Sequence, residues 1–381
     1  MIYFDNAATG GRKPDRVLSA VQGGIRTCAN PGRSGHQLSL SCANLVQRCR
    51  DLLSDYFDGY GYERTIFTKN CTEALNLAIF GGLKKGDHVV TTCLEHNSVL
   101  RPLAYLQKTG VITYDVCPLL NGDITPNQIL RLIRPNTKLV ILTSASNVTG
   151  KRLPVYEIKR VLPEKILLVC YGAQGAGHFP ISMQDWGIDA LALAGHKGLF
   201  GIQGSGALLL SERFTPEPLL RGGTGSMSLD LEMPNFLPDA LESGTLSYPA
   251  ILSLYEGVQY LQAHGREMER RIYQLTCYLC EKLRQTTAYK TYSTPNECGI
   301  VAFAHKELQS EIIAQILSND FQIAVRGGYH CAPLAHRAFK TTDGGLVRVS
   351  FSHWNTEKEI DELVFALRKI HESFEKGNLQ A

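Results

Sequence analysis

Short apolar runs alternate with segments of helical periodicity over the first half of the chain. The runs contain five or six residues, as is typical of buried strands, and the segments between them repeat apolar residues every three or four positions. We predict strands over 64–68, 88–92, 112–116, 138–143, 166–170 and 190–194. Helices are predicted over 14–28, 39–57 and 125–133, and from about residues 70 and 99. This alternation indicates a mostly parallel sheet with right-handed crossovers.

The pattern changes after Gly206. A helix is predicted from Pro249 to about Leu261, followed by a second helix to about Arg284. Shorter strands and helices then alternate in an α+β pattern, and the first nine residues are β-like. The predicted elements are strands 299–304, 324–326 and 346–350, and helices 309–317 and 357–371. Because 381 residues exceed one ordinary core, we expect two domains.

Polar residues stand at the ends of four predicted strands, namely His96, Asn147, Gln174 and Lys197. The carboxyl ends of parallel strands open onto one crevice, so these four side chains are expected to converge there. Lys197 stands between two glycines, in a setting typical of a lysine that forms a Schiff base. A solvated surface lysine and a loop histidine are the alternatives for Lys197 and His96 taken singly.

Three further segments carry candidate chemistry. Thr72 is predicted to cap a helix whose first amides could hold a phosphate, and the loop from Asn30 to His36 offers potential anion contacts. Cys331 lies in a glycine-rich loop with a histidine and Arg326 nearby, where positive charge favours a reactive thiolate. A free cysteine in a turn is the alternative. Another candidate, Arg348, could pair bidentately with a carboxylate.

The composition of the chain excludes several classes of binding partner. Hydrophobic residues make up 44% and charged residues 20% of the chain, as in soluble globular proteins. A net charge of +3 argues against nucleic acid and anionic membranes as partners. No apolar run approaches the roughly 20 residues of a membrane helix, and no signal-peptide pattern opens the sequence, so we expect a cytoplasmic protein. The chain has eleven cysteines, and two of them, Cys277 and Cys280, form a CxxC motif. Because a zinc site needs a second pair of ligands and none is evident, no metal site is predicted.

Eight sequence motifs, spread over nearly the whole chain, can be compared with known families. They are YFDNAATG, NPGRSGHQLSL, TKNCTEALNLAIFGGLKKGDHVVTTCLEHNSV, TSASNVTGKRLP, IDALALAGHKGLFG, GGTGS, RGGYHCAPLAH and VRVSFSHWNTEKEID. In these motifs the sequence resembles the cysteine desulfurases and selenocysteine lyases, pyridoxal phosphate (PLP) enzymes of fold type I in the class V aminotransferase superfamily. The resemblance implies a large α/β domain over 16–245, with a mostly parallel seven-stranded sheet, and a smaller α+β domain over 1–15 and 246–381.

The resemblance also implies a reaction and a set of roles. L-cysteine would be converted to L-alanine with a persulfide left on Cys331, in a homodimer that passes sulfur or selenium to an acceptor protein. Lys197 would bind PLP covalently, with His96 stacked on the ring. The remaining implied cofactor contacts are Thr72, Glu73, Asn147, Tyr171, Gln174, His196 and, from the other subunit, Thr245. The implied substrate contacts are Asn30, Arg33, His36, Arg326 and Arg348.

Tyr171 departs from the family pattern. Relatives have an aspartate at this position, whose carboxylate keeps the pyridine nitrogen protonated, whereas a phenol favours a neutral nitrogen. Ala194 and Leu246-Ser247 are milder departures. We hypothesise that a weaker electron sink favours a substrate with a weaker bond, such as selenocysteine. Alternatives are another PLP reaction, such as β-elimination, transamination or epimerisation, and a non-catalytic scaffold that binds a sulfur carrier.

Overall fold

The computed structural model describes residues 1–377 and contains strands and helices numbered here in chain order. The strands are β1 (Ile2–Tyr3), β2 (Thr65–Thr68), β3 (His88–Thr92), β4 (Thr113–Cys117), β5 (Thr137–Thr143), β6 (Leu167–Tyr171), β7 (Ala190–Ala194), β8 (Gly206–Leu210), β9 (Tyr289–Thr291), β10 (Ile300–His305), β11 (Ile323–Ala324) and β12 (Val347–Ser350). The helices are α1 (Asp15–Thr27), α2 (Gln37–Tyr56), α3 (Cys71–Gly82), α4 (Asn97–Lys108), α5 (Pro126–Arg131), α6 (Val155–Val161), α7 (Met183–Trp186), α8 (Tyr248–Arg284), α9 (Ser310–Phe321), α10 (Pro333–Phe339) and α11 (Glu357–Glu375).

A seven-stranded sheet forms the centre of the fold, in the order β2-β8-β7-β6-β5-β3-β4. Strands β7, β6, β5, β3 and β4 pair in parallel, whereas β8 runs antiparallel to both β2 and β7. The predicted α/β class and mostly parallel sheet are confirmed. The sequence pattern does not predict strand β8, whose apolar run directly follows a glycine-rich turn and pairs antiparallel with β7.

Both faces of this sheet are buried, so its strands are apolar along their whole length. In β5, Val140 and Leu142 contribute to the core on one face, and Leu139 and Ile141 contribute to the core on the other. Successive side chains of a strand point to opposite faces, and helices cover each face. The continuous apolar runs in the sequence therefore result from a sheet covered on both sides.

A second core lies around the antiparallel sheet β12-β10-β9 and is covered by α9, α11 and the end of α8. Strand β1 joins this region by pairing in parallel with β11, and Phe4 packs against Phe351. The N-terminus therefore lies beside the C-terminal part of the chain. The domain boundaries at residues 15/16 and 245/246 stay a prediction.

Helix α8 corrects the sequence prediction of two helices between Pro249 and Arg284. It is one continuous helix of 37 residues. Its buried residues recur at helical spacing through Val258, Leu261, Met268 and Ile272, and no proline interrupts them. The β-like segment at the N-terminus is also shorter than expected, because β1 has only two residues. Within residues 1–377 no helix is long and apolar enough to cross a membrane.

Candidate active site

Four adjacent strands end at one cleft. The loops after β7, β6, β5 and β3 bring Lys197, Gln174, Asn147 and His96 into its lining. The predicted convergence at the carboxyl ends of the parallel strands is therefore what the structure shows. The cleft has a volume of about 190 Å³.

Lys197 lies on a turn that is packed against its neighbours on both sides. A Cβ at Gly198 would overlap the Ala176 carbonyl oxygen, and a Cβ at Gly195 would overlap the Ser205 hydroxyl. Only glycine fits at these two positions, so the backbone on either side of Lys197 is fixed. Burial lowers the pKa of Lys197 to about 8, with Arg348 adding to the effect. The unprotonated, nucleophilic amine is thus a minor form at pH 7 and the major form above pH 8.

His96 is held in one tautomer at the start of α4. Its Nδ1 accepts a hydrogen bond of 3.0 Å from the Ser98 backbone N–H, which leaves the proton on Nε2. Burial and the nearby Lys197 and arginines lower its pKa to about 4, so the ring is neutral at pH 7. The ring centroid lies 5.9 Å from that of Tyr171, with 35° between the planes. A neutral, oriented imidazole therefore forms one wall of the cleft.

Thr72 and His196 also line the cleft, and Thr72 belongs to α3. The expectation that Thr72 caps this helix is wrong, because the cap is Asn70, whose Oδ1 accepts from the Glu73 N–H at 2.9 Å. Thr72 instead lies in the first turn, where backbone N–H groups favour an anion. His196 contacts the Thr9 hydroxyl through Nδ1 at 3.0 Å, and burial lowers its pKa to about 4.

Two arginines, Arg326 and Arg348, also line the cleft. Arg348 is almost fully buried; it donates to the Asn147 carbonyl oxygen at 2.9 Å and to Asp5 Oδ1 at 3.0 Å. Its Nε and the Asn147 side-chain oxygen are buried without a hydrogen-bond partner in residues 1–377. Arg326 lies beside it, across an antiparallel bridge. This region can therefore hold a carboxylate, and it keeps unused polar atoms for a ligand.

Cys331 lies on an exposed loop at the rim of this arginine region. Its backbone φ is 56° and that of His330 is 49°, a left-handed conformation that is uncommon for residues other than glycine. The loop is anchored by hydrogen bonds from the Asn97 N–H to the Cys331 oxygen (2.7 Å) and from His330 Nε2 to the Leu346 oxygen (3.0 Å). The thiol faces solvent, and an Arg326 N–H donor lies 3.9 Å from its sulfur.

A family model described as aminotransferase class-V matches residues 2–363. The chain belongs to this family. A probable cysteine desulfurase of Methanothermobacter thermautotrophicus is 31% identical, with 97% of this chain and 94% of that protein covered. A probable cysteine desulfurase of Pyrococcus abyssi is 30% identical, with 98% and 95% covered. The apo structure of a cysteine desulfurase from Thermococcus onnurineus superposes with a TM-score of 0.89 at 30% identity, with 97% and 94% covered. The resemblance inferred from the motifs is confirmed.

Five residues that the family resemblance implies as cofactor or substrate contacts do not line this cleft. Glu73 and Thr245 line a separate, largely apolar cavity. Arg33 donates to the Gly223 and Gly244 carbonyl oxygens at 3.0 and 2.8 Å. His36 caps α2 by accepting from the Ser39 N–H at 3.2 Å, and Asn30 is exposed in the same loop. These residues lie outside the cleft of the single chain, and the roles that the resemblance implies for them, including that of Thr245 from the other subunit, stay predictions.

Sequence reasoning missed two carboxylates close to the site. Asp5 pairs with Arg348, although these residues lie 343 positions apart. Glu95, next to His96, is fully buried, and burial raises its pKa to about 8. Its position beside a histidine at a strand end was the available signal. The local sequence pattern gives no indication that Asp5 pairs with Arg348, because the pairing requires the N-terminal segment to lie beside β12.

Proposed function

We propose that this class-V protein is a PLP-dependent cysteine desulfurase that converts L-cysteine to L-alanine and retains the sulfur on Cys331. The observation that carries the proposal is that a lysine of lowered pKa and an exposed cysteine border one cleft. Lys197 lines its floor, and Cys331 lies on the rim beside Arg326. The similarity to proteins named cysteine desulfurase over nearly the full chain supports it.

The residues present fit PLP. Lys197 would hold its aldehyde carbon, Thr72 and His196 its phosphate, Gln174 and Asn147 its ring substituents, and His96 one face of the ring. The buried Nε of Arg348 and the Asn147 side-chain oxygen lack partners in residues 1–377, as expected of atoms that a ligand satisfies. When bound, PLP supplies the electron sink that stabilises negative charge at the substrate Cα.

The side chains of the cleft would divide the remaining work. Arg348 and Arg326 would bind the substrate carboxylate, which fixes the orientation of the Cα–H bond. Lys197 Nζ, once free, would accept the Cα proton, because its lowered pKa allows it to act as a base near neutral pH. His96 would stay neutral and cover the ring, keeping water from one face.

Cys331 would carry the sulfur transfer. Its thiolate forms an S–S bond to the substrate sulfur while the substrate Cβ–S bond breaks. The electron pair of that bond stays on the carbon. The proton of the substrate thiol then becomes the third hydrogen of the alanine methyl group. The products are alanine and a persulfide on Cys331, so no external oxidant or reductant is needed.

The test is an absorbance spectrum of the purified protein, before and after L-cysteine is added, with alanine measured in parallel. The native protein is expected to show a visible band that cysteine perturbs with release of alanine. Lys197→Ala should remove both. Lys13→Ala is the matched control, since burial also lowers the pKa of Lys13 to about 8, yet its amine bonds to a backbone carbonyl, and it should keep the band. A protein that stays colourless with PLP would contradict the proposal.

We also propose a homodimer in which Thr245 of the partner subunit completes the cleft. The support is that Thr245 lies outside the chain's own cleft, beside the exposed Leu220. Mixing chains that carry Lys197→Ala with chains that carry Thr245→Ala should restore activity, because each mixed dimer contains one intact site. Activity that stays at the sum of the two separate variants would contradict this arrangement.

A further inference from the structure

The lining of the cleft carries positive charge without a carboxylate. Lys197, Arg326 and Arg348 contribute cationic groups, and none of the residues that line the cleft in the described chain is Asp or Glu. The two lining histidines whose pKa values fall to about 4, His96 and His196, are neutral. A ligand with negative groups is therefore favoured in this cleft, and an additional positive charge on the ligand is disfavoured.

Two carboxylates close to the cleft residues, Asp5 and Glu95, are not available as counter-charges. Asp5 is paired with Arg348 at 3.0 Å. Glu95 Oε1 accepts hydrogen bonds from the Thr92 hydroxyl (2.8 Å) and the Thr143 N–H (2.9 Å), and its Oε2 is buried without a partner in residues 1–377. Because burial raises its pKa to about 8, the Glu95 carboxyl is mostly neutral at pH 7. Neither group can balance a positive charge on a bound ring.

Tyr171 and Cys71 also line the cleft, and each brings a polar group to a buried position. Tyr171 ends β6, between β5 and β7, and only 3% of its surface is exposed. Burial raises the pKa of Tyr171 well above 10 and that of Cys71 to about 12, so both are neutral donors. In PLP the ring nitrogen is para to the carbon that Lys197 holds. The nitrogen therefore lies on the edge of the ring opposite the lysine attachment.

We propose that Tyr171 donates a hydrogen bond to the pyridine nitrogen of PLP and keeps that nitrogen neutral. This inference rests on the proposed PLP function. A neutral nitrogen accepts a phenol proton donor without a counter-charge, which suits a cationic cleft that has no carboxylate. It withdraws less electron density from the substrate Cα than a pyridinium does, so Tyr171 restricts the protein to substrates whose Cβ bond breaks readily.

The test is the ¹⁵N NMR shift of the ring nitrogen in holoprotein loaded with ¹⁵N-labelled PLP at pH 7. A neutral pyridine nitrogen resonates far downfield of a pyridinium nitrogen, so the native protein should give the downfield signal. Tyr171→Phe should keep the nitrogen neutral but move the signal further downfield, because the hydrogen bond is lost. Tyr171→Asp should move it upfield to the pyridinium region.

Each outcome decides between the two proposals. A pyridinium signal in the native protein overturns the inference while leaving the desulfurase function in place. Identical signals in native protein and Tyr171→Phe overturn the hydrogen bond. A neutral nitrogen in a protein that releases no alanine from cysteine supports the inference and contradicts the function, and failure to bind labelled PLP overturns both. The native measurement needs no variant, so poor folding of Tyr171→Asp does not affect it.

Discussion

The two groups proposed to react lie in opposite surroundings. Lys197 stands on a turn closed by Gly195 and Gly198, where any side chain would overlap a neighbour, and burial lowers the pKa of its amine. Cys331 stands on an exposed loop, in a left-handed backbone conformation, and its thiol faces solvent. A group that must stay aligned with a cofactor is thus built into close packing. A group that must deliver sulfur to an acceptor outside the protein is placed where it can be reached.

The largest effect is expected from removing the exposed thiol. Cys331→Ala should lower the rate of alanine release from L-cysteine by at least about 100-fold, because the nucleophile is lost while the lysine segment is unchanged. The visible band should remain. Steady-state alanine release and the absorbance spectrum measure the two effects separately.

Cys28→Ala is the matched control for this prediction. Cys28 is the other exposed cysteine among residues 1–377, and it follows α1, away from the residues that line the cleft. Its removal should leave alanine release unchanged. If Cys331→Ala and Cys28→Ala are equally active, the exposed loop has no role in the reaction, and another PLP reaction on this fold becomes the better explanation.

The lowered pKa of Lys197 predicts that the rate of PLP attachment depends on pH. The pKa of Lys197 is lowered to about 8, so the reactive amine is the minor form below this pH and the major form above it. The rate at which apoprotein gains its visible band with PLP should rise about tenfold per pH unit well below 8 and level off above it. His96 and His196, with pKa values of about 4, do not titrate in this range. A rate that goes on rising tenfold per pH unit above pH 8.5 would show that the lysine is not buried as described.

Packing around the lysine can be tested apart from its chemistry. Gly198→Ala should lower the free energy of unfolding by about 2 kcal/mol, because the added methyl group overlaps the Ala176 carbonyl oxygen and approaches His178 Cδ2 to 2.9 Å. Gly23→Ala is the control, since nothing lies within 4 Å of a Cβ there and α1 favours alanine, which should raise stability by about 0.5 kcal/mol. Urea unfolding of both variants gives the comparison, and equal losses would mean that the turn is not tightly packed.

The same contrast explains what the sequence could predict. The strand runs and the glycines around Lys197 are local patterns that express burial, so the mostly parallel sheet and the convergence of four strand ends could be predicted. The salt bridge between Asp5 and Arg348 and the hydrogen bonds that Arg33 makes to Gly223 and Gly244 join distant segments, and periodicity contains no signal for them. Threonine favours the N-cap position, so the sequence predicts a cap at Thr72, but Asn70 forms the cap two residues earlier.

The smallest effect concerns the backbone of the exposed loop. At a φ of 56°, glycine avoids a steric cost that alanine bears, so Cys331→Gly should be more stable than Cys331→Ala by about 1 kcal/mol, although both lack the thiol. At Cys28, where φ is −70°, the order should reverse, because glycine there only adds freedom to the unfolded chain. Thermal unfolding of the four variants measures both differences. If the alanine variant is the more stable one at both sites, the loop does not hold Cys331 in the left-handed region. The Cys331 loop and the Lys197 turn would then differ in solvent exposure and not in backbone conformation.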